Sequence, residues 1–393
     1  MKILFIHQYF ITPKEVGGTR SYWISRKLIE MGHEVTVLTS CNNIVKFQEE
    51  VIVDGINVIY LNVNYNQKMG FYKKLISFSS FFLRSTLLTI KLKNKIDIIY
   101  ATSTPLTVGI PAIIAKYLIK KKYIFEVRDL WPEAPIQMGI IKNEFLIKIL
   151  KRVEKKIYES AELIIALSPG MKEGITARGI KPKKVRIIPN MAKPDIFYPR
   201  NKKKSIITEF RLNDDQINII YFGAIGKSNG LIEFVKLFKK IKSKRFRLII
   251  VGNGSDKENL KEYVLKENLI NVNIFESYPM NKISDLVNCC DISLCCFADI
   301  PILYTNSPNK FFDSLSAGKP IIINSNGWTR KLIEKYKCGF YYNPKDINSF
   351  NQMIFSINKI ELKLMGENSR KLALSKFDKD KLTNKIVTLV NNL

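Results

Sequence analysis

Short apolar segments alternate with amphipathic helical patterns along most of the chain. In the first half, the apolar segments lie at about residues 2–6, 34–38, 96–101, 123–127 and 163–167. A second series has apolar segments at about residues 217–222, 246–251, 272–275, 292–297 and 321–323. Short apolar runs that alternate with helices are typical of buried parallel strands. The pattern therefore predicts an α/β protein with two doubly wound, Rossmann-like domains.

The two series are separated by a polar, lysine-containing stretch at about residues 191–215. We predict a linker there, because the strand and helix patterns break off. The N-terminal domain is then expected over residues 1–195 and the C-terminal domain over residues 210–375. Ser369–Leu393 has apolar residues at helical spacing. We expect the last part, about residues 376–393, to be a helix that packs back on the N-terminal domain.

A glycine-containing loop follows the first apolar segment. Gly17, Gly18 and Arg20 lie between that segment and the next helical pattern. Glycine lets backbone approach a ligand at a helix N-terminus. The spacing is not GxGxxG, and no acidic residue ends the second strand, so the fingerprint of a dinucleotide site is missing. These observations disfavour a nicotinamide-dependent oxidoreductase.

Residues 299–324 place a helix start, a lysine, an aspartate and a buried strand in a fixed order. Ser307 can cap a helix that starts with the following proline, which leaves the N–H groups of Asn309 and Lys310 free for an anion. Asp313 lies about one turn further along the same face, where its carboxylate can accept from two ribose hydroxyls. An ordinary capped helix with solvated side chains is the alternative for this segment alone.

Charged residues also follow the strand pattern at residues 123–127. Arg128, Asp129 and Glu133 stand at its carboxyl end, where open parallel sheets bind their ligands. A structural ion pair between Arg128 and Asp129 is the alternative reading of the first two.

Composition narrows the candidate functions. The chain has 63 Lys and Arg against 35 Asp and Glu, a net charge of +28, which favours phosphorylated ligands, polyanions or an anionic membrane. A genome rich in lysine codons is another source of this excess. The six cysteines lack zinc-type spacing, so we expect reduced thiols in a cytoplasmic protein and no metal site. No apolar run is long enough to predict a membrane-spanning helix.

The stretch from Lys68 to Lys95 is both apolar and cationic. It contains seven basic residues and no acidic one, interleaved with phenylalanine, leucine and isoleucine. A helix of this kind suits the interface of an anionic membrane. A domain helix that is buried on one side, with lysines extending to solvent, is the equal alternative. A nucleic-acid-binding protein is less favoured, because most aromatic residues fall in strands or in this stretch.

Several segments recur in a recognisable order: MKILFIHQYF, GGTR, EVRDLWPE, IIALSPGM, VRIIPNMAKPDIFYP, YFGAIGKSNGL, VGNGSDKENL and SPNKFFDSLSAGKPII. In this order they resemble the retaining family-4 glycosyltransferases of the two-domain B-type fold. The resemblance is strongest to the O-antigen and capsule aminosugar transferases typified by N-acetyl-fucosamine transferase. It covers nearly the whole chain. It implies two domains facing across a cleft, with a UDP-sugar on the C-terminal domain and the acceptor on the N-terminal one.

The resemblance also implies roles for individual residues. The family has two glutamates eight residues apart beside the donor, and this chain has Thr305 and Asp313 there. The arginine and lysine that the wider family places after the first strand of the C-terminal domain are both missing. Lys227 and Lys310 are therefore the candidates for the diphosphate, and Asp129 is the candidate catalytic residue on the acceptor side. The other candidates are, for the donor, Gly17, Gly18, Gly223, Gly226, Gly252, Ser307, Asn309 and Asp313, and, for the acceptor, Arg20, Arg128 and Glu133.

We therefore expect a retaining hexosyltransferase that acts in O-antigen or capsule polysaccharide biosynthesis at the inner face of the cell membrane. It would move an N-acetylated amino sugar from a UDP-sugar to a polyprenyl-diphosphate-linked saccharide. Positive groups would stabilise charge on the leaving phosphate, so no cofactor or metal is expected. The sequence Asp378-Lys-Asp380 is expected to cap a helix. A UDP-sugar epimerase of the same fold is the closest alternative, and product analysis with the donor alone separates the two.

Overall fold

The computed structural model describes residues 1–42, 44, 46–65, 69–241 and 243–393. Lys68, the first residue of the predicted cationic helix, lies outside the described residues. The described chain forms two compact units. The first consists of Met1–Thr12, Thr19–Pro189 and Leu382–Leu393, and the second consists of Pro13–Gly18 and Asn190–Lys381.

The first unit is built on one eight-stranded sheet. Its strands are β1 (Lys2–Ile6), β2 (Glu34–Cys41), β3 (Gln48–Val53), β4 (Ile56–Asn62), β5 (Ile98–Thr102), β6 (Lys122–Val127), β7 (Leu163–Ala166) and β8 (Val185–Ile187). They lie in the order β3-β4-β2-β1-β5-β6-β7-β8, and neighbours are parallel except for β3 and β4. The strand order reverses direction between β1 and β5, which is where open sheets of this kind bind ligands.

Strands β3 and β4 form a hairpin that the sequence pattern had not predicted. They are antiparallel and are joined by Asp54 and Gly55, which both have positive φ angles of 49° and 82°. An Asp-Gly turn with this geometry matches the twist of a two-residue hairpin.

Helices cover the sheet of the first unit. They are α1 (Arg20–Glu30), α2 (Phe71–Lys91), α3 (Gly109–Leu118), α4 (Glu133–Gln137), α5 (Glu144–Ser160) and α6 (Pro169–Thr176). Side-chain caps explain where two of these helices start. The Asn143 side chain accepts from the Leu146 N–H before α5, and Ser168 accepts from the Met171 N–H before α6. Each cap satisfies a backbone donor that a helix leaves free at its first turn.

The second unit has a six-stranded, fully parallel sheet. Its strands are β9 (Ile217–Phe222), β10 (Phe246–Val251), β11 (Val272–Phe275), β12 (Ile292–Cys295), β13 (Ile321–Ile323) and β14 (Gly339–Tyr341). They lie in the order β11-β10-β9-β12-β13-β14. Alternate residues of β9 pack into cores on opposite faces of the sheet, with Tyr221 on one side and Phe222 on the other. Both units are thus doubly wound α/β domains, which confirms the predicted fold class.

The helices of the second half are α7 (Lys204–Glu209), α8 (Leu231–Lys240), α9 (Lys257–Lys266), α10 (Met280–Cys289), α11 (Asn309–Ser316), α12 (Trp328–Tyr336), α13 (Ile347–Ser356), α14 (Lys359–Leu372) and α15 (Lys379–Asn391). The stretch predicted as a linker, residues 191–215, is included in the second unit and contains α7.

The single helical segment predicted over Ser369–Leu393 is interrupted. Helix α14 ends at Leu372, a π-helical turn spans Ala373–Phe377, and α15 starts at Lys379. The interruption has a local cause, because Oδ1 of Asp378 accepts from the N–H groups of Asp380 and Lys381. This is the helix-capping role predicted for the Asp-x-Asp sequence. The first unit includes Leu382–Leu393.

Close backbone approach between the loops after β9 and β10 predicts a strong requirement for glycine at position 252. A Cβ at Gly252 would lie 1.8 Å from the Gly223 carbonyl oxygen. We expect Gly252→Ala to lower the free energy of unfolding by about 2 kcal/mol, as overpacking does. Equilibrium urea unfolding measures this. Gly226→Ala is the matched control, since a Cβ there meets nothing closer than 3.7 Å, and an equal loss in both variants would contradict the steric explanation.

Candidate functional site

The loops that follow β9 and β10 form an interlocked backbone surface at the carboxyl end of the second sheet. The Ile225 N–H donates to the Asn253 carbonyl over 2.9 Å, and the Asp256 N–H donates to the Ile225 carbonyl over 3.0 Å. A Cβ at Gly254 would lie 2.2 Å from the Ile225 oxygen, so glycine is needed for this approach. The predicted donor residues Gly223, Gly226 and Gly252 all lie in these two loops.

Lys310 brings a positive charge to this surface from the first turn of α11. Its Nζ lies 3.7 Å from the centroid of the Tyr221 ring, is buried, and has no hydrogen-bond partner among the described residues. Gly223 is its neighbour, since a Cβ there would lie 3.6 Å from Nζ. Burial lowers the pKa of Lys310, because the charged form is the one that loses hydration.

The ionisable groups that interact electrostatically with Lys310 do not neutralise it. They are the thiols of Cys295 and Cys296, and burial raises their pKa values to about 11 and about 12. Both are therefore uncharged at neutral pH. A buried cation without an anion is costly unless a partner is supplied. The arrangement at Lys310 is accordingly one that an anionic ligand would stabilise.

The N-terminus of α11 corrects one prediction. Ser307 does not cap the helix, which begins at Asn309 after an extended Pro308. Instead, the Ser307 Oγ accepts from the Asn190 N–H over 3.2 Å, and the Asn190 side-chain amide donates to the Ser307 carbonyl over 2.5 Å. With the serine engaged there, the backbone N–H groups of Asn309 and Lys310 find no acceptor within the described part of the chain. The predicted anion site therefore keeps its backbone donors.

Asp313 lies one turn further along α11, as the sequence predicts, but it already has a protein partner. Lys193 Nζ is 2.6 Å from Asp313 Oδ1, and both side chains are almost fully buried. Burial raises the pKa of Asp313, and Lys193 opposes this rise. A ribose diol would therefore have to bind the other oxygen, Oδ2. The ribose role of Asp313 stays a prediction.

The second predicted diphosphate lysine, Lys227, lies in a different setting. It is exposed and starts a short 3-10 helix, Lys227–Asn229. It lines a cavity of about 670 Å³ together with Phe297, Asp299 and other residues. Among the described residues that line this cavity, Lys310 is not found. The structure thus leaves the joint action of the two lysines as a prediction.

The carboxyl ends of β1 and β6 form a second polar cluster, in the first unit. Arg128 Nη1 lies 3.1 Å from Nε2 of the buried His7, and the Arg128 N–H donates to the Ser103 Oγ over 3.0 Å. A guanidinium only donates, so Nε2 is the accepting nitrogen and His7 is neutral. Burial and the positive charge of Arg128 hold the pKa of His7 well below its usual value.

Asp129 belongs to the same cluster. Burial raises its pKa from 3.8 to about 6, although Arg128 and a hydrogen bond with Thr104 oppose the rise. Within the described chain, no ion pair within 4 Å joins Arg128 to Asp129. Sequence reasoning missed His7. The available signal was the one used for Arg128, namely a polar side chain directly after a buried strand.

Arg20 and Glu133, which were predicted on the acceptor side, are both engaged by protein groups. Arg20 is buried, pairs with Glu126 over 2.9 Å and donates to the Ile188 and Pro189 carbonyls. Burial raises the Glu126 pKa, but Arg20, Arg128 and a hydrogen bond from Tyr100 together lower it by more, so the pKa is lowered overall. Glu133 pairs with Arg178 over 3.1 Å. Contact of Arg20 or Glu133 with an acceptor stays a prediction.

The remaining candidates are the two glycines of the first loop, Gly17 and Gly18. Gly17 is exposed and Gly18 half-buried, in the segment Pro13–Gly18 that the second unit includes. Over the described ranges, no three His, Cys, Asp or Glu side chains cluster as metal ligands.

Helix α2 confirms the helix predicted within the cationic stretch. Unlike most helices of a domain, it exposes much of its apolar surface. Its buried side carries Ser77, Phe81 and Ser85, whereas several of its apolar side chains face outward. The exposed ones are Tyr72 at 79%, Ile76 at 69%, Leu83 at 56% and Leu87 at 68%. In the described part of the chain, every helix falls short of the length and apolarity needed to cross a bilayer.

The raised pKa of Asp129 predicts a pH dependence of stability. The folded protein holds the proton more tightly than the unfolded chain, so this contribution is fully present below about pH 4 and is lost as pH rises through about 6. A pKa raised from 3.8 to about 6 corresponds to about 3 kcal/mol. We therefore expect Asp129→Asn to become more stable relative to wild type, in free energy of unfolding, as the pH rises over this range. Urea unfolding at several pH values measures it, and a pH-independent difference would contradict the burial of the carboxyl group.

Comparison with known protein families gives matches over both halves of the chain. Residues 17–191 match the family described as "Glycosyl transferase 4-like domain", and residues 202–372 match the family described as "Glycosyl transferases group 1". The "Probable glycosyltransferase WbjE" of Pseudomonas aeruginosa is 19% identical over 288 residues, which cover 72% of this chain and 72% of that protein.

Solved structures show the same architecture. Sucrose-phosphate synthase from Thermosynechococcus elongatus has a TM-score of 0.79 at 16% identity, and the alignment covers 99% of this chain and 98% of that one. HepE of Anabaena, solved in complex with UDP and glucose, has a TM-score of 0.73 at 16% identity, and the alignment covers 100% of this chain and 100% of that one. At these identities the similarities establish the fold.

Proposed function

Because the chain belongs to the glycosyltransferases of the two-domain B-type fold, we propose that it moves a sugar from a UDP-sugar to an acceptor hydroxyl with retention of anomeric configuration. The observation that carries the donor assignment is the buried Lys310 ammonium, which has a ring beneath it and, in the part of the chain that the structure describes, no anion beside it. The HepE structure with UDP and glucose supports a nucleotide-sugar donor by similarity of fold.

The leaving diphosphate would lie at the tip of α11. Departure of the nucleotide places new negative charge on its β-phosphate, and donors that are already oriented stabilise such charge best. The backbone N–H groups of Asn309 and Lys310 and the Lys310 ammonium are oriented donors of this kind. The interlocked glycine loops would let the phosphates approach the backbone closely. Lys227 would add a solvent-exposed charge from the loop after β9.

The acceptor would be activated in the cluster at the carboxyl ends of β1 and β6. With a pKa of about 6, Asp129 is mostly ionised at pH 7 and can accept a hydrogen bond from an acceptor hydroxyl. In a retaining transfer the leaving phosphate can take the proton itself, so Asp129 would orient the acceptor. Arg128, held by His7, would offer a positive charge to an acceptor that carries phosphate.

We further propose a lipid-diphosphate-linked saccharide as the acceptor, met at the cytoplasmic face of a membrane. Its support is the outward apolar face of α2, the lysines that flank that face and the net charge of +28, a combination suited to anionic lipid. The setting in O-antigen or capsule synthesis and the transfer of an N-acetylated amino sugar rest on the sequence resemblance alone.

Loss of the Lys310 charge predicts a large fall in turnover. We expect Lys310→Ala to lower kcat by about 100-fold or more, because one preorganised donor to a developing oxyanion is worth about that much. A panel of UDP-sugars is first screened for thermal stabilisation of the wild type, since a bound ligand raises apparent stability. Turnover is then measured as UDP release with the best donor.

The matched control is Lys331→Ala, which removes an exposed lysine from α12 of the same unit. It should leave UDP release unchanged. Near-wild-type turnover in Lys310→Ala would remove Lys310 from the mechanism. A wild type that neither binds UDP nor is stabilised by any UDP-sugar would reject the donor assignment itself.

The membrane proposal predicts binding to anionic vesicles through α2. The wild type should float with vesicles containing phosphatidylglycerol and not with phosphatidylcholine alone. The double variant Ile76→Asp, Leu87→Asp should weaken partitioning at least about tenfold, because two apolar side chains lose their place in the interface. Ile360→Asp changes an isoleucine of the second unit that is even more exposed, at 86%, and should not weaken partitioning. Equal flotation of both variants would exclude α2 as the docking face.

A further inference from the structure

Tyr221 contacts the two parts of the proposed donor site at once. It is a fully buried residue of β9. Its ring lies under the Lys310 ammonium, with Nζ 3.7 Å from the centroid. Its hydroxyl donates to the Ala224 carbonyl in the loop that follows the same strand. One side chain therefore connects the cation at the start of α11 to the glycine loop after β9.

The ring is the electrostatic partner that keeps Lys310 in place. The ammonium has no hydrogen-bond acceptor in the described part of the chain, and its neighbours Cys295 and Cys296 are neutral thiols. A cation over an aromatic face is attracted to the ring, and the attraction grows when water is excluded. A ring also cannot neutralise the charge, so the lysine stays available to a phosphate.

The hydroxyl acts on the loop. Burial raises the pKa of Tyr221 well above its usual value, so the hydroxyl remains a proton donor at all physiological pH values. Its acceptor, Ala224, follows Gly223, whose φ of 121° few other residues adopt. A phosphate oxygen at the position of the missing Gly223 Cβ would lie 3.6 Å from Lys310 Nζ. The anchored loop thus leaves an open space directly beside the ammonium.

On these grounds, and resting on the proposed function of this site, we propose that Tyr221 is the positioning residue of the transfer reaction. Its ring face holds the Lys310 ammonium ready for the leaving diphosphate, and its hydroxyl fixes the loop against which that diphosphate lies. Tyr221 itself touches no substrate. The two roles reside in different parts of the side chain and are separable by substitution.

Kinetics of two variants test the division of roles. Tyr221→Phe keeps the ring and loses the hydroxyl, so kcat should stay within about 3-fold of wild type while the donor KM rises about 3- to 10-fold, the range for one hydrogen bond. Tyr221→Leu loses both, so kcat should fall about 10- to 30-fold as the cation loses its support. Phe246→Leu is the control. It removes a ring from the same hydrophobic core, but at the start of β10 and so away from the loops at the carboxyl ends of the strands, and its kcat should not change.

A general packing effect would overturn the proposal. It would appear as equal losses of kcat in Tyr221→Leu and Phe246→Leu, or as an equal loss in Tyr221→Phe and Tyr221→Leu. Retention of kcat in Tyr221→Leu would overturn it as well.

A second measurement needs neither a donor nor turnover. In protein labelled with ¹³C at lysine Cε, the Lys310 signal, assigned by its loss in Lys310→Arg, should be shifted upfield by the ring current of Tyr221. The shift should persist in Tyr221→Phe and disappear in Tyr221→Leu. If Tyr221→Leu does not fold, the wild type and Tyr221→Phe still decide, because an unshifted Lys310 signal in either contradicts the stacking. If this shift is present but no UDP-sugar binds, the proposed function fails while the Tyr221 geometry stands.

Discussion

The polar cluster of the second unit depends on how closely two backbone segments approach each other after β9 and β10. Two hydrogen bonds join the loops, and side chains at Gly252 or Gly254 would collide with carbonyl oxygens of the opposite loop. Parallel strands bring their carboxyl ends to one edge of a sheet, but only glycine lets the following loops interlock there. The interlocked loops form one wall beside Lys310, and β9 supplies the ring beneath it. The placement of a buried charge thus follows from a backbone constraint.

The two polar clusters differ in how their charges are compensated. In the first unit, His7 accepts from Arg128, and Arg20 pairs with Glu126, so each guanidinium has a defined protein partner. In the second unit, Asp313 is paired with Lys193, whereas the partners of Lys310 among the described residues are an aromatic ring and neutral thiols. Uncompensated charge in a protein interior is unfavourable and is generally retained where a ligand completes it. This asymmetry separates Lys310 from the charged groups that serve the fold.

Local sequence features predicted most of the architecture and the residues that the two polar clusters share with the predicted site, Arg128, Asp129 and Lys310. Runs such as Ile217–Phe222 are apolar throughout, because a strand covered on both faces needs no polar positions. The register of α11, which puts Asp313 one turn after Asn309, follows from helix geometry. The hairpin β3–β4 was not predicted because β3 is a largely exposed edge strand and lacks the buried apolar pattern of the other strands, although Asp54-Gly55 is a hairpin signal in itself.

What the sequence did not predict are the pairings between distant residues. Ser307 was expected to cap its own helix, but its hydroxyl is taken by Asn190, 117 positions earlier. His7 and Arg128 are 121 positions apart, and nothing local to either residue indicates the contact. Propensity and spacing describe what a segment can do by itself. The tertiary fold then decides which partner each polar group takes.

The contacts of Asn190 and Lys193 with α11 also determine where a junction can be placed in a chimeric protein. Asn190 binds Ser307, and Lys193 is paired with Asp313, so the residues just after Pro189 are an integral part of the second unit. A chimeric protein that exchanges the first unit should therefore place its junction before Asn190. A junction in the polar stretch after residue 200 would replace Asn190 and Lys193 with residues of the other protein. Asp313 would then be a buried acid without its partner.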